Sequence, residues 1–317
     1  MLAYVVRRLV FLLVSLAAAA VVTFALLRLL PGDPANALVA VGATPEQIAS
    51  ARHAIGSDQP LVQQFFHWAT QMLRLDLGSS FVSSLPVGPQ IGQRLLVTLP
   101  LTLIAFALAI VIAAPVGFIA ARYSRNAIGI AFSAVSQLGI AVPVFWIGIL
   151  LVWAFALGLR VLPAGGFPQQ DWADPGQALR SLALPVLTIA LVMSASVARY
   201  VRSACIEVIG SDFLRTFRAL GASFGSAMLH HGVRSVAVPL VSVLGIELAT
   251  TFLGAVVVEN VFALPGLGSM LVTGIAQHDY PTIQGVILVT TLLVLVVGFL
   301  ADLVQRMLDP RLRGGLL

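Results

Sequence analysis

The chain has 317 residues, 59% of them apolar and only 10% charged, with a mean hydropathy of +1.00. Soluble domains carry about 25% charge, so a soluble fold of this length could not hide so much apolar surface, whereas lipid makes hiding it unnecessary. All 18 basic residues are arginine, which excludes a G-x-x-x-x-G-K-[ST] phosphate loop, and the single Cys205 excludes an intrachain disulfide and a cysteine-based metal site.

The first apolar run is Leu9 to Leu27, preceded by Arg7 and Arg8. Ala17 to Ala20 imitate a signal cleavage site, but the run is longer than a usual signal core, so it is read as an uncleaved first span. A long polar stretch follows, from Pro31 to Arg94. Inside it a helix is predicted over Gln59 to Leu75, with Leu61, Phe65, Trp68 and Met72 on one apolar face, suited to docking or subunit packing. The second span lies between Arg94 and Arg122 and the third between Asn126 and Arg160. The third stretch exceeds one crossing, so it must tilt, lie at the interface or kink at Pro143. Ser181 to Ala198, Ser235 to Val258 and Pro281 to Ala301 are the fourth to sixth spans. About 20 residues cross the ~30 Å hydrocarbon layer, and only helices satisfy their own backbone there. Pro100, Pro115, Pro185 and Pro239 also sit in or near spans, as routine kinks or as hinges.

Orientation follows from the arginines. With the N-terminus inside, the cytoplasmic side holds Arg7, Arg8, Arg122, Arg125, Arg199, Arg202, Arg215, Arg218, Arg234, Arg306, Arg311 and Arg313, and the other side holds Arg28, Arg52, Arg74, Arg94, Arg160 and Arg180. The positive-inside rule then places both termini in the cytoplasm. This charge pattern explains the pI of 10.3 without nucleic acid. Trp68, Trp153 and Trp172 fall near the expected outer side, as interfacial anchors would. The expected organisation is a first span at 1–30, an extracytoplasmic segment at 31–94, a five-helix core at 95–310 with a cytoplasmic loop at 199–234, and a tail at 311–317.

The loop contains a short amphipathic helix ending at Gly221. Ser211 is placed to cap it, Asp212 suits the positive end of its dipole, and Gly221 permits a left-handed stop. Phe213, Phe217 and Leu220 form one apolar stripe over about three turns, with Arg215 and Arg218 beside it. Such a helix can lie on a membrane or fit a groove in another protein. The segment Asp212 to Gly221 (DFLRTFRALG), followed by His231, Arg234 and Pro239, resembles the coupling loop of ATP-binding-cassette (ABC) importer permeases. It is most similar to the B-type permease of the dipeptide/oligopeptide/nickel importer family, with Arg215, Thr216 and Phe217 where the general motif has Glu-Ala-Ala. Further matches run along the chain: Leu29 to Ala35, Asp58 to Leu61, Asp76 to Phe81 with Pro86 and Val87, Pro143 to Gly148, and Pro265 to Gly268 with Asp279 to Pro281.

The resemblance implies an all-α, multi-pass bacterial plasma-membrane protein of about six spans, with the type I importer permease fold. It implies a second homologous permease, two ABC ATPase subunits that hold the ATP and magnesium, and an extracytoplasmic substrate-binding protein. On this reading the chain has no cofactor of its own and no catalytic or metal site; its surroundings are membrane lipid, not nucleic acid. ATPase coupling would fall to Asp212, Phe213, Arg215, Thr216, Arg218, Ala219 and Gly221. Short peptides are the expected cargo, with a nickel chelate or a glutathione-like molecule as alternatives.

Glu247 is an acid well inside a span and, with Gln137, a candidate for the translocation pathway. A structural hydroxyl partner is the competing role for Glu247. Leu264, Pro265, Gly266, Asp279 and Tyr280, in an arginine-free loop, are candidate contacts for the binding protein. His230 and His231 are adjacent and suit one metal poorly, and His53, His67 and His278 lack helical partners. A stand-alone secondary transporter would want more ionisable groups within the spans and an internal repeat. An intramembrane hydrolase would want a nucleophile and base there; Asp302 lies at a span end and no histidine lies in a core span.

Overall fold

The computed structural model describes residues 2–29, 35, 38–39 and 43–308. Leu30 to Pro34 of the motif after the first span, Arg311 and Arg313, and the expected tail at 311–317 lie outside the described residues. Within them the regular structure is helical, apart from one isolated bridge between Ser79 and Pro86.

The helices are α1 (Leu2–Leu29), α2 (Pro45–Ile55), α3 (Leu61–Leu73), α4 (Val87–Arg122), α5 (Ala127–Ala141), α6 (Val144–Leu151), α7 (Pro175–Gly210), α8 (Asp212–Ala219), α9 (Phe224–Ala227), α10 (Val233–Val261), α11 (Leu267–Gln277) and α12 (Tyr280–Leu308). Single π-helical stretches follow α6 (Val152–Gly158) and precede α10 (Met228–Gly232). By length and composition α1, α4, α7, α10 and α12 can each cross a membrane. The sixth candidate is the stretch from α5 to Gly158, which bends by 100°. Its break falls where Pro143 disfavours a helical residue before it, and Val142 is extended (φ −84°, ψ 127°). The other four prolines do not break their helices: α4 runs through Pro100 and Pro115, α7 through Pro185 and α10 through Pro239. The 36 residues of α4 and of α7 measure about 54 Å at 1.5 Å each, longer than the hydrocarbon layer.

The chain forms two compact units. One holds α5 to α10, α4 from Leu99 onward, the start of α1 and the end of α12 from Val294. Here α7 is central, flanked by α5, α6 and α10. Its apolar stretch is 67% buried, against 11% for α1 and α12. Small residues let α4 lie close on α7: a Cβ added at Gly117 would stand 2.6 Å from the Ala198 carbonyl oxygen. The helix ends are tied by Arg8 to Asp302 at 2.8 Å, while Arg306 lies over the Tyr4 ring.

The other unit holds α2, α3, α11 and the remaining parts of α1, α4 and α12. α2 opens with a capping box between Thr44 and Gln47 and closes at Gly56. The predicted face of α3 packs inside this unit: Trp68 is buried with Phe24 and Leu288, flanked by Phe65 and Met72. Trp68 is therefore an internal wedge, not an exposed anchor, and Leu61, expected on the same face, is 58% exposed. A second cluster joins Val87 and Ile91 of α4 to Leu267 and Met270 of α11 and Val286 of α12.

Candidate functional site

α7 ends at Gly210, and the extended backbone of Ser211 (ψ 148°) turns the chain directly into α8. Ser211 sits at the capping position, but its hydroxyl donates backward to the Val208 carbonyl (2.6 Å) and does not cap α8. The helix has eight residues, nearer two turns than the three expected. Its rotation also differs from the expected stripe. Leu214 is the buried residue, with Phe217 half-buried one turn on, while Phe213 and Leu220 are exposed. Phe217 stacks on the His231 ring, with centroids 3.9 Å apart and planes 11° apart. Arg215 pairs with Asp212 within α8 (3.4 Å), and Arg215, Thr216, Arg218 and Ala219 are exposed. Gly221, at φ +95°, closes the helix: its N–H donates to Arg218 and that of Ala222 to Phe217, a Schellman pair.

Glu247, on α10, faces α7. Its carboxylate accepts from the Ser196 hydroxyl at 2.6 Å. Both groups line a cavity of about 250 Å³ whose walls include Ile140, Ile189, Val192 and Met193. Thr250 and Thr251 also line it, though their hydroxyls donate to the Glu247 backbone carbonyl. A carboxylate in an apolar cavity with two further hydroxyls nearby can receive an ammonium or another hydrogen-bond donor. Gln137 is not brought to this cavity; it lies on the exposed side of α5.

The five loop candidates are mostly internal. Leu264, Gly266, Asp279 and Tyr280 are buried and Pro265 is half-buried. Apart from Pro265, their side chains pack within the chain. Asp279, 3% exposed, accepts from the Ser80 hydroxyl (2.6 Å), the Phe81 N–H (2.9 Å) and the Thr282 hydroxyl (2.7 Å). It anchors the 78–86 turn to the first turn of α12, where the helix dipole favours an anion. Glu259 escaped the sequence reading, which ended the fifth span at Val258; α10 continues to Val261 and buries Glu259 completely. The signal available was an acid directly beside an apolar run. Among the described residues no group of three or more His, Cys, Asp or Glu could hold a metal ion. His231 is engaged by Phe217 and His230 lies beside the Ser226 carbonyl (2.9 Å).

Comparison with known proteins places this arrangement. Residues 113–314 match the family described as binding-protein-dependent transport system inner membrane component, and residues 1–102 match its N-terminal membrane component. The chain is 36% identical over 310 residues to a Sinorhizobium fredii protein named as a probable peptide ABC transporter permease, covering 98% of this chain and 99% of that one. It is 38% identical over 295 residues to a Brucella abortus protein named provisionally as a peptide transport system permease, covering 93% of each. It is 35% identical over 313 residues to a glutathione transport system permease of Salmonella choleraesuis, covering 99% of each. The chain therefore belongs to the inner-membrane components of binding-protein-dependent transport systems: it is a multi-pass permease subunit of a bacterial plasma-membrane ABC importer, non-catalytic itself and a partner of an ATPase and a substrate-binding protein.

Proposed function

We propose that the chain passes short peptides and forms half of the pathway, the other half being a second homologous permease. Two ATPase subunits hold the ATP and magnesium on the cytoplasmic side, where both termini and the 199–234 loop lie. The peptide cargo is supported by the names of the Sinorhizobium and Brucella relatives; the Salmonella relative favours a glutathione-like cargo as the second reading.

The observation that carries the coupling role is the presentation of α8. One side is held by Leu214 and by the stack of Phe217 on His231, and the rest is exposed. Asp212, Phe213, Arg215, Thr216, Arg218 and Ala219 are then available to a groove on the ATPase, and Gly221 sets the exit angle. Glu247 meets the ammonium of a peptide. Gln137, on the exposed side of α5, is a polar group of the pathway formed with the second permease. The binding protein docks on the exposed residues Gln277 and His278 and on Pro265, with Leu264, Gly266, Asp279 and Tyr280 holding that loop from within.

The test is reconstitution of the four kinds of subunit in proteoliposomes, with dialanine uptake measured against ATP. Uptake is expected only with ATP, both ATPases and the binding protein present. A cysteine at Phe213, in a Cys205→Ser background, is expected to cross-link to an ATPase subunit. Uptake by this chain alone, or a Phe213 cysteine labelled only from outside, would defeat the reading.

A further inference from the structure

A cavity of about 390 Å³ lies in the unit that does not contain Glu247. It is bounded by the end of α1, by α2 and α3, by the turn after Gly78 and by the start of α12. Small-molecule pockets run from about 300 to 1,000 Å³. Among the described residues that line it are one arginine, two histidines, four glutamines and no acid. Its chemistry is therefore polar and cationic, against walls that include Phe24 and Tyr280.

Two buried atoms on this lining lack hydrogen-bond partners. Arg28 Nε is one. The guanidinium carbon lies 5.0 Å from the Phe24 ring centre and 6.0 Å from that of Tyr280. The rings attract the cation but supply its Nε–H with no acceptor in its plane. The second atom is Gln64 Oε1. Gln64 is 8% exposed, and its amide nitrogen donates to the carbonyls of Ser57 (3.2 Å) and Gln59 (2.7 Å). Those two bonds settle which way the amide points, so the orphaned oxygen is not a flipped nitrogen. A buried N–H without an acceptor and a buried oxygen without a donor each carry a desolvation cost, and both belong to side chains that line one cavity, where a small side-chain turn would present them to a ligand. His53, on the same lining, is held toward its protonated form by Asp58, through their 2.8 Å hydrogen bond first and charge second.

We propose that this cavity binds an anion that also carries an N–H or O–H donor: a carboxylate or phosphate accepting from Arg28, and an ammonium or hydroxyl donating to Gln64 Oε1. Two sources share that chemistry. One is a free zwitterionic peptide. The other is an anionic lipid headgroup, since Arg28 stands at the end of an apolar helix long enough to cross a membrane. The site is separate in sequence from Glu247, and its occupancy does not depend on the transport reading above.

The test uses the full chain in its assembled importer, in phosphatidylcholine nanodiscs, because that headgroup offers no N–H or O–H donor. Dialanine and phosphatidylglycerol are added in separate arms. Phenylglyoxal modification of Arg28 is followed by peptide mass mapping, and binding of each probe is measured directly. At saturation one probe or both should slow Arg28 modification at least tenfold in the wild-type protein. Arg28→Gln and Gln64→Leu should each weaken binding of that probe about tenfold. Protection by dialanine alone assigns a free peptide, and protection by phosphatidylglycerol alone assigns a lipid. If neither probe shields Arg28, or if a folded Arg28→Gln variant binds as wild type, the site is refuted; the wild-type protection result decides even if a variant fails to assemble.

Discussion

Replacing Asp279 tests whether the loop after α11 is an internal anchor or a docking surface. Asp279→Ala removes three hydrogen bonds to a carboxylate and leaves the Ser80 hydroxyl, the Phe81 N–H and the Thr282 hydroxyl to find other acceptors. Hydrogen bonds to charged groups contribute about 1.5–3 kcal/mol each. The two hydroxyls can rotate, while the Phe81 N–H cannot, so the net cost is about 3–6 kcal/mol. Asp279→Asn is more diagnostic. It can keep an oxygen facing Phe81 but places an NH₂ against Ser80 Oγ, which already accepts from the N–H groups of Val82 and Ser83. Two donors then oppose each other, at about 2–3 kcal/mol. Thermal inactivation of the detergent-solubilised protein and amide exchange at Phe81 read both effects. Ser80→Ala should cost less in the Asp279→Ala background than alone, by about 1.5–3 kcal/mol for the one shared bond, while the loss of the acceptor for the Val82 and Ser83 N–H groups is common to both backgrounds. Additive costs, or unchanged Phe81 exchange in Asp279→Ala, would refute the anchor.

Three further outcomes follow from geometry. Gly117→Ala drives a Cβ against the Ala198 carbonyl and Val201, and should destabilise α4–α7 packing by about 1–3 kcal/mol, read as lower thermal stability in detergent; equal stability would mean that the helices do not lie this close. Gly221→Val forces φ +95° on a branched residue at a cost of about 1–3 kcal/mol, so α8 should fray and uptake by the reconstituted importer should fall several-fold with subunit assembly intact; unchanged uptake would show that the helix end does not matter. The His53–Asp58 pair adds stability only while both groups are charged: His53 is raised above 6.5, so its part is lost as pH rises through that higher value, and Asp58 is lowered below 3.8, so its part is lost as pH falls through that lower one. Asp58→Asn should return the His53 midpoint toward 6.5, measured by exchange at the imidazole C2 position, and an unmoved midpoint would remove Asp58 as the cause.

Apolar runs announced the spans because each long helix must satisfy its own backbone and present an apolar surface, and both demands are local. Other features depend on partners distant in sequence. Asp279 reads as a polar loop residue until Ser80, 199 positions away, is brought to it. Trp68 reads as an interfacial anchor until Phe24 closes over it. The phase of α8 was ambiguous in the residues themselves, since Phe213, Phe217 and Leu220 make one stripe and Leu214 with Phe217 another. The turn at Ser211 and the His231 ring select the second. Pro143 marks the place of the bend but not its 100° size, because proline shows where a helix can stop and not where the next one goes.

The same contacts suggest how movement of α8 would reach the Glu247 cavity. α7 runs into α8 at one end, and the stack of Phe217 on His231 ties α8 to the chain entering α10 at the other. These are also the two helices that carry Ser196 and Glu247. Ser196 stands fifteen residues before Ser211, about 22 Å along a continuous helix at 1.5 Å per residue. A displacement of α8 that acts differently on α7 and α10 would therefore stretch or release the 2.6 Å Ser196–Glu247 hydrogen bond and reshape the cavity around it. Glu247→Gln keeps an acceptor for Ser196 while removing any negative charge, so it separates recognition from packing. If Glu247 receives the cargo ammonium, this variant should assemble normally yet import dialanine at least tenfold more slowly, with N-acetylated dialanine affected far less. Ser196→Ala should instead slow both cargoes alike, because it loosens the helix pair without changing charge. Equal loss of the two peptides in Glu247→Gln would leave Glu247 as a structural partner of Ser196, and the cavity would need another explanation.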